Sequence, residues 1–373
     1  MAYADLSTVK HRVQLGAPLP FSVRNADKTL LLAKGQKVDS PEQLDALMRR
    51  GALVDLDELQ SPVDKILRAP RELLPQLWSQ SLNQVAQALR DSSAPGFQQA
   101  LVEAALPVQT LVARDPDLAI FQVLQQGANA DMEYGTQRSL QTAITGMLVA
   151  QRLGWEASDA ERAFKVALTM NLSMLELQGQ LARQSAAPSD GQRQELQTHP
   201  MRSVRILEKA GISDELWLRA VLQHHEREDG SGYPSGCTEV SDLASLVRRS
   251  DIYTSKLASR SNRESLAADM AGRQMFMQDP GHPMTAALVK EFGIYPPGCH
   301  VRLASGELAV VVGRGATITA PLVACLSNAR GAPLPKPVRR ETTDRAHAVV
   351  AVVGETSIGQ RVPLDRLMAA IVG

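Results

Sequence analysis

The period of the polarity pattern changes twice along this chain. Up to residue 58, apolar residues come in short runs broken by turn formers. From residue 71 to residue 293 they recur at three- and four-residue intervals, the period of helices with one buried face. After Gly293 short apolar runs return. The first part therefore predicts strands at Arg12–Leu15, Phe21–Arg24 and Thr29–Leu32, then a helix from Pro41 to Arg50. Ser40 is its N-cap, Gln43 closes a capping box, Pro41 fills the first turn and Gly51 stops it. Residues 59–70 are polar, contain Pro62 and Pro70, and read as a linker.

Leu73, Leu74, Leu77, Leu82, Val85 and Leu89 mark an amphipathic helix from Arg71 to Arg90, ended by Asp91-Ser92-Ser93-Ala94-Pro95-Gly96. Further helices are predicted at Phe97–Ala113, Pro116–Gln126, Gly135–Leu153, Ala157–Arg183, Pro200–Ala210, Asp214–Glu226, Ser241–Ser259 and Pro283–Phe292. Strands follow at Val301–Leu303, Leu308–Val312, Leu322–Leu326 and Ala348–Val353. The expected fold is mainly α: a helical bundle core with a small N-terminal α+β module and a small C-terminal β extension. The expected divisions are 1–58 for the module, 59–96 for linker and helix, 97–293 for the helical domain and 294–373 for the extension.

Composition narrows the function. A chain of 373 residues predicts two or three domains. Forty basic and forty acidic residues give a formal net charge of zero, which argues against coating a nucleic-acid polymer. Cys237, Cys299 and Cys325 are far apart and without CxxC spacing, so a thiolate zinc site is not expected and free thiols are. No apolar run approaches a membrane span, and the N-terminus lacks a signal-peptide pattern, so a cytoplasmic location is expected.

The candidate chemistry sits in residues 222–234, Leu-Gln-His-His-Glu-Arg-Glu-Asp-Gly-Ser-Gly-Tyr-Pro. Two of the chain's seven histidines, His224 and His225, close an apolar helical run. Imidazole is the commonest neutral metal ligand, and adjacent histidines at a helix end can converge on one site. The glycines and proline then reverse the backbone close by, as a ligand-approaching loop requires; a surface His-His pair before an ordinary turn has the same local form. The string His-His-Glu-x-x-Asp-Gly-x-Gly-Tyr-Pro resembles the signature of the HD-GYP family, bacterial phosphodiesterases that open cyclic di-GMP.

The resemblance implies a metal site built from several helices, in which metal lowers the pKa of a bound water and neutralises phosphodiester charge. Thr198-His199-Pro200 matches the family's His-Pro, followed by Val204, Ile206 and Leu207. His224 and His225 match the next two ligands, and Asp251 in Asp251-Ile252-Tyr253 matches the terminal aspartate, with Thr254 departing from the pattern. Arg260 and Arg263 match a pair that lies near the substrate phosphates. The defining His-Asp pair is replaced: Asn171 stands for the histidine, Leu172 for the bridging aspartate and Leu175 for a lysine. In Tyr134-Gly135-Thr136-Gln137-Arg138-Ser139-Leu140, Arg138 stands at the first histidine ligand. Leucine has no donor atom, asparagine is a weak neutral oxygen donor, and arginine does not deprotonate to bind a cation. That leaves Asp251 alone at one metal position and a three-histidine patch at the other.

The resulting expectation is a degenerate HD-GYP protein that works without catalysis in cyclic di-GMP signalling, as a sensor, adaptor or interaction module. Its interaction loop would comprise Asp229, Gly230, Gly232, Tyr233 and Pro234, contacting diguanylate cyclase-type or other signalling proteins. Cofactors would be none or one divalent transition metal (Fe, Mn or Zn). The alternatives are a metal-dependent phosphodiesterase recruiting other ligands such as Glu133 or Glu176, and a structural protein binding neither nucleotide nor metal. Charge balance predicts that Arg138 pairs with Asp251, the other outcome being Arg138 turned to solvent.

Overall fold

The computed structural model describes residues 3–124, 133–258, 266–354 and 363–372. The chain divides into two compact units, Met1–Ala69 and Pro70–Gly373. The first is a four-stranded antiparallel sheet of β1 (Tyr3–Asp5), β2 (Val23–Arg24), β3 (Leu30–Leu32) and β4 (Leu53–Asp55), ordered β1-β4-β2-β3. It carries α1 (Pro41–Arg49), α2 (Leu56–Leu59) and α3 (Pro62–Arg68). Leu6, Phe21, Val23, Val38, Leu44 and Val54 form its core.

Two expectations for this unit are corrected. Arg12–Leu15 is not a strand; a 3-10 helix over Leu6–Arg12 precedes it, capped by the Asp5 carboxylate, and buries Leu6 and Val9 on one side. Nor is 59–70 an open linker, because Ser61 caps α3 by accepting from Asp64 N and Pro62 suits its first turn. Ser40 caps α1 as expected, accepting from Gln43 N at 3.2 Å, but Gln43 Oε1 accepts from Asp39 N, one residue before the cap.

The second unit is mainly helical. It runs through α4 (Leu74–Arg90), α5 (Phe97–Arg114), α6 (Pro116–Leu124), α7 (Tyr134–Arg152), α8 (Ala157–Thr169), α9 (Leu175–Arg183) and α10 (Asp190–Lys209). Then come α11 (Glu215–Gln223), α12 (Asp242–Leu257), α13 (Ala268–Gln278), α14 (Pro283–Phe292) and, last in the chain, α15 (Leu364–Val372). Helix α7 is the axis, packed by α4, α5, α6, α8, α9, α12 and α14 and buried along nearly its whole length. Its threonines and glycines are poor helix formers, so packing rather than propensity holds it. Thr142 Oγ1 donates to Arg138 O at 3.0 Å and meets Thr254 Oγ1 at 3.0 Å, which satisfies hydroxyls in a dry interior.

A five-stranded antiparallel sheet follows α14: β5 (His300–Leu303), β6 (Leu308–Thr317), β7 (Ala320–Ser327), β8 (Pro333–Glu341) and β9 (Val349–Val353), ordered β8-β7-β6-β5-β9. Val301, Leu303, Ala309, Val311, Val323 and Cys325 make its core. Its anchor on the helices is Arg314, whose backbone N–H donates to Asp117 Oδ2 at 2.9 Å and whose Nη1 donates to Glu291 Oε1 at 3.0 Å. Strand β8 was not expected because of its prolines. Pro333, Pro335 and Pro337 fall on alternate positions, so their missing N–H groups share one side, which an edge strand tolerates.

The mainly α fold with small sheets at either end stands as expected. Two helical predictions in the body do not, and one helix has no counterpart among them. Ala157–Arg183 is interrupted by a 3-10 turn at Leu172–Met174, because Ser173 bonds outward, its Oγ donating to His199 O at 3.0 Å. The helix expected to begin at Pro200 begins at Asp190, set by a Ser189/Gln192 capping box, and runs through the proline. Helix α13 lacked a clean apolar period and was missed. No helix among the described residues is long and apolar enough to cross a membrane.

Gly135 fixes the approach of α7 to α9. A Cβ there would lie 2.2 Å from Leu175 O and 2.8 Å from Leu175 Cα. Gly135→Ala should therefore destabilise the chain by about 1–3 kcal/mol despite the better helix propensity of alanine. A urea-unfolding midpoint that stays level or rises would contradict this close approach.

Candidate functional site

Two helices bring the histidines together: α10 carries His199, and the C-terminal end of α11 presents His224 and, next in the chain, His225. Pro200 lacks an N–H, so the Leu196 carbonyl one turn back has no backbone donor; His199 Nδ1–H fills that place at 2.6 Å. His224 is the C-cap of α11, where the last carbonyls are free, and its Nδ1–H donates to Val221 O at 2.7 Å. A carbonyl only accepts, so both Nδ1 atoms carry the proton and both Nε2 atoms present lone pairs. Those two Nε2 atoms face each other at 3.1 Å. The His225 ring lies 4.2 Å from that of His224 and 5.0 Å from that of His199, centroid to centroid.

Two opposed lone pairs inside a protein call for a shared proton or a cation. The proton is disfavoured. Burial, reinforced by the neighbouring histidine, holds His199, His224 and His225 down to about 3. Neutral imidazoles with Nδ1 fixed by backbone carbonyls are the arrangement that presents Nε2 to a metal. One candidate ligand atom from each histidine lies within 4.8 Å of the others, the single such His/Cys/Asp/Glu group among the described residues. Nitrogens 3.1 Å apart can both bind one ion at about 2.1 Å, so this donor set fits one divalent transition metal.

Asp251 on α12 lies outside that group and is engaged by Arg138 on α7. Arg138 Nη2 donates to Asp251 Oδ1 at 2.8 Å and to Asp251 O at 3.1 Å, the two side chains being 4% and 23% exposed. The contact expected from charge balance is present, and Arg138 does not turn to solvent. Asn171 is buried with Oδ1 unpartnered, and Leu172 is buried beside it. Neither Glu133 nor Glu176 joins the histidines; both line a separate cavity of 630 Å³ that also contains Leu172. Arg260 and Arg263 fall outside the described residues.

The loop after the histidines is built by sterics. A Cβ at Gly232 would lie 2.5 Å from Arg227 N and Glu226 Cα, so only glycine lets the chain lie on that segment. Gly230 takes φ 75°, and Asp229 ties the turn by accepting from Ser231 N at 2.9 Å. Tyr233 is thereby laid on His225, with centroids 4.5 Å apart and rings 17° from parallel. Asp229 and Pro234 are exposed, but Tyr233 points inward and gives its face to the site. Glu226, the glutamate of the motif, and Glu228, which sequence reasoning did not single out, hold the loop down. Glu226 Oε1 accepts from Ser235 N, and Glu228 is clamped by Ser245, Arg248 and Arg249. Burial works against the Glu228 charge, but the Ser245 hydrogen bond and the two guanidinium groups outweigh it and bring its pKa to about 2.

A family model described as an HD domain matches residues 122–248. Among curated proteins, a cyclic di-GMP phosphodiesterase of Pseudomonas aeruginosa is 35% identical over 158 residues, covering 39% of this chain and 38% of that protein. A 3'3'-cGAMP-specific phosphodiesterase of Vibrio cholerae is 26% identical over 147 residues, covering 38% and 31%. The chain thus spans less than two-fifths of the length of these relatives. A solved structure, Bd1817, described as a HDG"Y"P protein from Bdellovibrio bacteriovorus, aligns at 14% identity with a TM-score of 0.49, over 78% of this chain and 98% of its own. The HD-domain match and the phosphodiesterase relatives bear out the resemblance drawn from the motif.

Removing either partner of the Arg138–Asp251 pair should cost about 3 kcal/mol, since each leaves a charge in a mostly buried setting. A double-mutant cycle on Arg138→Ala and Asp251→Ala, read by denaturant unfolding, should return a coupling energy well above about 0.5 kcal/mol. Zero coupling would show that the two charges do not depend on each other.

The histidines also set a pH dependence. Each is neutral when folded with a pKa near 3 and takes a proton near 6.5 when unfolded. Their contribution is therefore complete above about pH 6.5 and lost as pH falls toward 3, on the order of 2 kcal/mol per imidazole by pH 5. Metal-free protein should unfold at clearly lower urea at pH 5 than at pH 7, and His224→Gln should narrow that gap. A gap of the same size in the variant would assign it to other groups.

Proposed function

On the premise that residues 122–248 form an HD domain, we propose that this chain is a non-catalytic member of the HD-GYP type that binds a cyclic dinucleotide in bacterial signalling. The phosphodiesterase relatives, named for cyclic di-GMP and 3'3'-cGAMP, supply the ligand class. The observation that carries the non-catalytic part is the ion pair between Arg138 and Asp251. The terminal carboxylate that the resemblance assigns to a metal is neutralised by a guanidinium, and Leu172 offers no donor where a bridging aspartate would stand. On this reading residues 97–293 are the helical body of the receptor, and 1–58 and 294–373 are flanking modules.

His199, His224 and His225 would hold one divalent transition metal, which when bound supplies positive charge and open coordination positions. The chain's own residues do the rest. Two backbone carbonyls fix the ring tautomers, Asp251 is kept off the metal by Arg138, and Tyr233 covers His225. The exposed edge of the loop, at Asp229 and Pro234, is the surface offered to a signalling protein such as a diguanylate cyclase-type partner.

Purified chain supplied with manganese, iron or zinc should bind cyclic di-GMP or 3'3'-cGAMP in calorimetry without releasing linear product above background. Elemental analysis should find no more than one metal per chain. Turnover that disappears in His224→Ala, or two stoichiometric metals, would overturn the non-catalytic reading. Absence of binding to both nucleotides would overturn the receptor reading.

A further inference from the structure

Beside the histidines lies a cavity of about 270 Å³ whose wall includes Tyr134, Arg138, Gln178, His225, Tyr233 and Asp251. Its polar atoms are not paired off. Arg138 commits Nη2 to Asp251, while its buried Nη1 has no partner; the Tyr134 hydroxyl and Gln178 Oε1 are buried and unpartnered too. Asp251 Oδ1 is engaged by Arg138, and Oδ2 accepts no hydrogen bond among the described residues. Buried donors and acceptors left open in this way are costly unless a ligand or water meets them.

The open set is mixed in kind, and that selects the ligand. A phosphate brings only acceptors, and its charge would face the Asp251 carboxylate. Arg138 and Asp251 already cancel each other. What fits is a neutral planar group that shows a carbonyl beside N–H donors. The cavity lies below the roughly 300–1,000 Å³ of sites for drug-sized ligands, so it has room for one ring system and not for a whole cyclic dinucleotide.

We propose that this cavity takes a guanine base by its edge, leaving the phosphodiester outside. The guanine carbonyl accepts from Arg138 Nη1, and the ring N–H and amino group donate to the Asp251 carboxylate, with Gln178 Oε1 as a further acceptor. Adenine would turn a ring-nitrogen lone pair toward that carboxylate and is disfavoured. The stacked Tyr233 and His225 place aromatic surface in the same wall. The inference rests on the nucleotide-receptor reading above and names the part of the nucleotide that enters.

The test uses the full chain with guanosine and adenosine as probes in ligand-observed saturation-transfer NMR, and cyclic di-GMP in parallel. Guanosine should bind at least about tenfold more tightly than adenosine, and inorganic phosphate should not displace it. Asp251→Asn, which keeps the size and removes the charge, and Gln178→Leu should each weaken guanosine by roughly tenfold. A thermal melt checks folding, and Gln178→Leu carries the test if Asp251→Asn lowers stability. Equal binding of the two nucleosides, no guanosine binding, or two folded variants without effect would overturn the inference. Cyclic di-GMP binding without guanosine binding would overturn the inference and leave the receptor reading intact. Guanosine binding without any cyclic dinucleotide binding would do the reverse.

Discussion

A guanidinium carries a charge that no protein interior removes, and the rest of this site is arranged around where that charge sits. Arg138 projects from the most buried helix of the fold, and its partner Asp251 projects from the helix packed against it. The pair is both an electrostatic and a packing element, since Thr142 and Thr254 close a small polar network around it. A metal there would have needed ligands with free lone pairs. The guanidinium supplies positive charge without them.

The three histidines obey a different constraint. Their geometry follows from backbone accounting: a proline that lacks a donor and a helix that ends both leave a carbonyl free, and each carbonyl fixes one imidazole. The lone pairs left facing each other at 3.1 Å make this half of the site cation-seeking whatever happens at Asp251. The two halves thus answer to different constraints, opposite charges paired at one and opposed lone pairs at the other.

What was legible in the sequence divides along the same line. The helical body and the His-His-Glu stretch could be read because period and motif are local. The Arg138–Asp251 contact could be reasoned because a lone buried carboxylate requires a partner. The 3-10 break at Leu172–Met174 was not legible, because it depends on Ser173 bonding to His199 and Ser203 in another helix. Nor was the true start of the helix around Pro200, since the proline looked like a beginning and acts instead as the source of a free carbonyl. Strand β8 was hidden by prolines whose tolerance depends on its edge position, which sequence does not display.

The loop from Asp229 to Pro234 is held in place by its own packing and hydrogen bonds. Gly232 is required because a Cβ would strike the backbone of Glu226 and Arg227. Glu226 and Glu228 are required because they close backbone and guanidinium hydrogen bonds that would otherwise be left open in a partly buried place. Tyr233 is held by its stack on His225. None of these contacts involves a metal or a reacting bond. The loop therefore reports the shape of the site, while Arg138, Asn171 and Leu172, none of which offers a metal an imidazole or a carboxylate, bear on its chemistry.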